Sequence, residues 1–270
     1  MTRRSPSRGL AGTALFFALA FVVTWVPLIP PSLAALGAID GPAEELMAGA
    51  PLAIFGPAIA AVVASRREGG WPRVRALLRG LLAWRVGPRW YLAALGLPTL
   101  TFLVGRAAYA LVPGNEGGPW LWLPASGTAV LGALLVPIGE EIGWRGYALP
   151  RLIPRYGALG ASLVLGLFWA LWHLPMLISV GTTPIEMAIM LPYFLAGSVM
   201  FTWVYQRTGG SLLLAVLLHV GAHLSNTSQA AGELAPLTIA TASYLGLAAL
   251  LVAFDRRTFG AAPADAVPEE

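Results

Sequence analysis

Apolar residues in this chain come in runs of about twenty, not in the short alternations of a soluble fold. A membrane-spanning helix needs about 20 mostly apolar residues. Eight stretches meet or approach that length: 10–30, 49–65, 90–112, 120–142, 158–180, 185–206, 211–228 and 234–254. The second is short and interrupted by Pro57, and the seventh is short and turns polar at its end. The pattern predicts an all-α, polytopic bundle of about eight transmembrane helices. It forms one membrane domain over 10–254, flanked by a terminus at 1–9 and a tail at 255–270. One stretch differs in kind: WPRVRALLRGLLAWRVGPRW sets Val74, Leu77, Leu78 and Leu81 at helical spacing, with Arg75 and Arg79 on another face. It predicts a short amphipathic helix on the cytoplasmic leaflet. The tail ends in small and polar residues and is expected to be disordered.

Charge gives the bundle a direction. The chain is 57% hydrophobic and 11% charged, against about 25% charged in soluble domains. All 17 basic residues are arginine. They stand before the first segment, between the second and third, between the fourth and fifth (Arg145, Arg151, Arg155), between the sixth and seventh, and after the eighth. The alternate loops carry Asp40, Glu44, Glu45, Glu116, Glu186 and Glu233. By the positive-inside rule both termini are cytoplasmic, and the chain is expected as a multi-pass protein of a bacterial inner membrane. Arg106 breaks the pattern and is expected to snorkel. The basic balance therefore needs no nucleic-acid partner. The absence of cysteine excludes disulfides and thiolate metal sites. The N-terminus resembles a signal peptide, but its apolar run is longer than a usual one and is read as an uncleaved first helix. Glu44 and Glu45, without a nearby histidine, read as a solvated loop.

Against this background the polar residues inside apolar runs stand out. All three histidines, His173, His219 and His223, and the pair Glu140–Glu141 lie in such runs, where an ionisable group costs roughly 2.5–3.5 kcal/mol. Consecutive residues on a helix point about 100° apart, so Glu140 and Glu141 face different ways. Arg145, four residues on, can pair with Glu141. That leaves Glu140 as the freer carboxylate and a candidate general base. Trp169 and His173 share a helix face just before Pro175. His219, His223 and Asn226 share another, at a spacing that suits a metal site or a hydrogen-bonding pair for an oxyanion. At 1.5 Å per residue His219 lies about 12 Å from the start of its segment. Glu140 falls near the end of segment four. His173 lies about 20 Å along segment five, or about 15 Å if that helix starts nearer Leu163. The site is expected in the cytoplasmic half of the membrane.

These pieces, in this order, resemble the signatures of the CPBP family, the CAAX-prenyl-endopeptidase and bacteriocin-processing intramembrane proteases. Glu140, Glu141 and Arg145 match its EExxxR motif. Trp169 and His173 align with FxxxH, with tryptophan in place of phenylalanine as a packing residue. His219 and His223 align with a histidine followed four residues later by asparagine, here replaced by histidine. The resemblance covers about 120–230. It implies an eight-helix bundle that hydrolyses a peptide bond of a membrane-associated protein or peptide in the lipid bilayer. Glu140 would activate a water, His173 would help hold it, and His219 with His223 would stabilise the oxyanion. Trp169 and Asn226 would support them. The same Glu140, His173, His219 and His223 would suit zinc with an open position, so a metalloprotease and a metal-free glutamate protease both stand open. Two further readings keep the same residues: a non-catalytic membrane module that binds a peptide, and a proton-coupled transporter, since buried Glu and His also mark proton relays. No paired broken helices or inverted repeats favour the last.

Overall fold

The computed structural model describes residues 6–48, 52–112, 127–226 and 234–260. Among these there is no strand. The helices are α1 (Pro6–Ala35), α2 (Ala43–Ala48), α3 (Gly56–Leu78), α4 (Pro88–Tyr109), α5 (Gly127–Gly143), α6 (Leu149–Trp172), α7 (Leu174–Ser179), α8 (Pro184–Arg207), α9 (Leu212–Asn226), α10 (Leu234–Phe254) and α11 (Arg256–Phe259). A π-helical turn, Trp144–Ala148, joins α5 to α6. Five described stretches are long and apolar enough to cross a membrane: Ala11–Ala35, Pro88–Tyr109, Val130–Ser179, Pro184–Arg207 and Leu234–Phe254. The protein is an all-α, polytopic membrane protein.

The segment between 130 and 179 departs most from expectation. The sequence suggests a helix ending near 142, a polar loop carrying Arg145, and a new helix from 158. Instead the helix runs on through the π turn, and the reversal comes at Gly157, whose φ of 66° and ψ of 171° only glycine adopts without strain. Glu140 and His173 stand at nearly equal sequence distances on either side of that glycine, so the hairpin returns one to the level of the other. Arg145 is therefore no loop residue: its side chain is wholly buried. The second expected segment also shifts, since Pro57 opens α3 rather than interrupting it, a position where its missing N–H costs nothing.

Close packing sets the remaining helices. α1 packs on α3 and α7, α3 on α5, α4 on α9, and α8 on both α6 and α10. A Cβ on Gly143 would strike Pro57, and one on Gly139 would reach the Ile54 carbonyl at 2.7 Å, so α5 and the start of α3 meet backbone to backbone. Phe16 of α1 is buried, stacked on Tyr147 with ring centroids 5.0 Å apart. The Trp25 indole donates to the Trp172 carbonyl at 3.1 Å, satisfying an orphan group at the end of α6. Thr183 and Glu186 form a capping box that opens α8.

Three polar links hold the arginine-bearing loops at one end of the bundle. Glu68 accepts from Tyr147 and Arg151. Ser211 donates to the Ala83 carbonyl at 2.7 Å. Arg207 pairs with Asp255 at 3.3 Å. The amphipathic stretch lies here: Val74 is 2% exposed, whereas Trp71 and Trp84 are 57% and 59% exposed. Within the expected tail, residues 255–260 are ordered instead, because Asp255 caps α11 and accepts from the Trp203 indole at 2.8 Å. Residues 261–270 lie outside the described residues. Glu44 and Glu45 sit exposed in the single turn of α2.

Candidate active site

The π turn is where the site begins. Such turns add a residue to the helical ladder and recur at functional sites. Here it follows directly on Glu140 and Glu141, both buried. The two carboxylates have different partners, as their angular separation predicts. Glu141 Oε1 accepts from Arg145 Nη1 at 2.9 Å and from His219 Nδ1 at 2.8 Å. Glu140 Oε2 accepts from the Trp169 indole at 2.6 Å and from the Trp144 indole at 3.3 Å. The guanidinium of Arg145 lies over Trp169 and Phe201, 4.7 and 4.0 Å from the ring centroids, so aromatic faces share in neutralising a charge that has left water.

The histidines close the cluster. His173 caps α6 at the break before Pro175, and its Nδ1 donates to the Trp169 carbonyl at 2.8 Å. A carbonyl can only accept, so neutral His173 carries its proton on Nδ1 and presents Nε2 as a lone pair. His219 is held the same way by the Glu141 carboxylate. His223 stacks beside His219, with ring centroids 4.9 Å apart. Trp169 sits among them, edge-on to both His173 and His219 at 5.7 Å. Of the cluster, His173 and His223 alone are more than marginally exposed; Glu140, Glu141, Arg145, Trp169 and His219 are buried.

The structure thus gathers seven of the eight residues singled out in the sequence. The side chain of the eighth, Asn226, lies outside the described residues. Two features of the site were not anticipated. Trp144 is a second donor to Glu140, and its spacing of four residues from that carboxylate was the available signal. Trp169, expected as packing, is a hydrogen-bond donor. Several buried polar atoms have no partner: Glu141 Oε2, Nε and Nη2 of Arg145, and the hydroxyls of Ser198 and Thr202. Among the described residues no three of the His, Asp and Glu side chains come together as metal ligands. The Nδ1 contacts of His173 and His219 resemble those of metal-bound histidines, but Glu140 is turned to two indoles and Glu141 to a guanidinium, so this arrangement does not fit a zinc site. An open cavity of about 670 Å³, lined by Trp203, Arg207, Leu250 and Asp255 among others, lies at the arginine-rich end and includes no residue of the cluster.

Residues 122–225 match the family model described as type II CAAX prenyl endopeptidase Rce1-like. This region carries every residue of the buried cluster. The match spans less than half of the chain, and is to the kind of protease whose motifs the sequence resembles. A relative named CAAX prenyl protease 2, from Methanococcus maripaludis, is 32% identical over 139 residues, which is 47% of this chain and 49% of that protein. The chain therefore matches about half the length of this curated relative.

Proposed function

We propose that this chain is a CPBP-family intramembrane endopeptidase that hydrolyses a peptide bond of a membrane-associated protein or peptide. The observation that supports it most is the meeting of three sequence motifs, far apart in the chain, around the buried carboxylate of Glu140. A carboxylate needs a reason to be held away from water, and general-base chemistry on a sequestered peptide supplies one. The named relative adds to the reading, since its name is that of a protease.

In this mechanism Glu140 takes a proton from a water held by the Nε2 lone pair of His173. The hydroxide attacks the scissile carbonyl, forming the C–O bond. Negative charge then develops on the carbonyl oxygen, facing His219 and His223. With its Nδ1–H held by Glu141, neutral His219 presents a lone pair at Nε2, so the N–H that meets the oxyanion comes from His223, whose ring centroid lies 4.9 Å away. On collapse the C–N bond breaks and Glu140 returns its proton to the leaving amine. Glu141 and Arg145 touch no substrate; they fix His219 and the π turn. A peptide reaches the water past His173 and His223, the members of the cluster with exposed surface. No step is routed through a metal.

The test is cleavage of internally quenched peptides by the purified protein in detergent. One set carries a farnesylated C-terminal Cys-aliphatic-aliphatic-X, the other is unmodified. Cleavage by the wild type and its loss in Glu140→Gln are expected. Binding of these peptides without cleavage would instead identify a non-catalytic peptide-binding module. Cleavage undiminished in Glu140→Gln would remove Glu140 from the chemistry.

A further inference from the structure

The aligned motif has phenylalanine where this chain has Trp169, and an aromatic ring there can be explained by packing alone. The structure gives the residue more to do. Its indole N–H points at Oε2 of Glu140 at 2.6 Å, a donor aimed at a carboxylate oxygen. Its ring face covers the Arg145 guanidinium at 4.7 Å, and its edges meet His173 and His219. Its backbone carbonyl orients the His173 ring at 2.8 Å. Phe194 and Phe201 hold the indole edge-to-face at 5.1 and 5.6 Å, which fixes its rotamer. Phenylalanine offers no donor at this position.

We propose that Trp169 is a positioning residue of this protein: its indole N–H, seconded by the longer bond from Trp144, locks the Glu140 carboxylate in one rotamer and stabilises its ionised form. This rests on the reading of Glu140 as the base. Both indoles act on the same oxygen, Oε2, so the orientation of the other oxygen, Oε1, is set by the pair. A phenylalanine-bearing relative would have to orient its carboxylate by other contacts.

Two variants separate the donor from the ring. Trp169→Phe keeps an aromatic that the family pattern accepts. Replacement of Trp169 by 3-benzothienylalanine keeps the shape of indole and puts sulfur in place of N–H. For both, cleavage of the farnesylated quenched peptide is expected to show kcat down about tenfold with KM unchanged. The acidic limb of the pH–rate profile should move up by about one unit, because a carboxylate that loses a donor binds its proton more tightly. Trp144→Phe should move both less, in line with its longer bond. A benzothienyl variant with the wild-type kcat and pH profile, alongside an inactive Glu140→Gln, would overturn the positioning role and leave the base intact. An active Glu140→Gln would sink the base itself. A measurement free of substrate completes the test: the indole ¹⁵N–¹H resonance of Trp169, assigned by its absence in Trp169→Phe. It should lie downfield of the other indoles and shift in Glu140→Gln. A resonance at the position of a free indole, unmoved by Glu140→Gln, would overturn the proposal whatever the kinetics.

Discussion

His219 donates Nδ1–H to Oε1 of Glu141 at 2.8 Å, the same oxygen that takes Arg145 at 2.9 Å. One carboxylate thereby joins α5, the π turn and α9. Removing one partner of a buried pair leaves an uncompensated charge and costs about 3–5 kcal/mol. Arg145→Met is therefore expected to lower stability in detergent by that order, seen as a large fall in Tm together with loss of cleavage. Glu140→Gln should behave oppositely: its amide oxygen still accepts from the indoles, so Tm should stay near wild type while cleavage disappears. If both variants were equally stable, Glu141 and Arg145 would not be the structural clamp argued here.

Glu68 predicts a pH dependence of stability. Burial opposes its ionisation, but hydrogen bonds from Arg151 and Tyr147, with the charges of Arg151 and Arg73, outweigh that and lower its pKa. A carboxylate whose folded pKa lies below its unfolded value, about 4.3, stabilises the fold above that range. The contribution is lost as pH falls through the folded value. Glu68→Gln should thus cost roughly 1–2 kcal/mol at neutral pH, the lower part of the range for charged hydrogen bonds because the group is partly solvated. Wild type and variant should converge in thermal melts well below pH 4. A gap that persists there would assign the effect to packing.

Much of this molecule was legible in the sequence, for identifiable reasons. The last apolar run, 234–254, is uniformly apolar and has the same bounds as α10. The partition of the carboxylates followed from helical geometry alone, and Glu141 does pair with Arg145. The reading failed where polarity stood for exposure. Arg145 looked like a loop residue because arginine seldom enters a bundle, but the aromatic faces that cover it, Trp169 and Phe201, come from elements distant in sequence. Gly157 ends the helix through one backbone conformation that composition does not encode. The link from Glu68 in α3 to Arg151 in α6 joins residues 83 apart in the chain, and no local pattern announces it.

The donor arrangement bears on metal dependence. Glu140 Oε2 is taken by two indoles and Glu141 Oε1 by Arg145 and His219, and among the described residues no three His, Asp or Glu side chains come together as metal ligands. Cleavage should survive exhaustive treatment with a metal chelator, and purified protein should hold well under one zinc per chain by elemental analysis. Activity abolished by chelator and restored by stoichiometric zinc would show that the site rearranges to bind metal.

Orientation in the membrane is the remaining inference, and the chain suits its test because it has no cysteine. The links Glu68–Arg151, Ser211–Ala83 and Arg207–Asp255 place the arginine-bearing loops at one end of the bundle. By the positive-inside rule that end is expected to face the cytoplasm. Arg85 is exposed on the amphipathic stretch and Glu45 is exposed on α2, so a thiol at either should be reachable without disturbing the core. In intact cells with permeabilised outer layers, Glu45→Cys should react with a membrane-impermeant maleimide. Arg85→Cys should react only after the inner membrane is broken. The reverse pattern would invert the bundle, whereas labelling of both in intact cells would mean that the arginine-rich end does not face the cytoplasm in every copy.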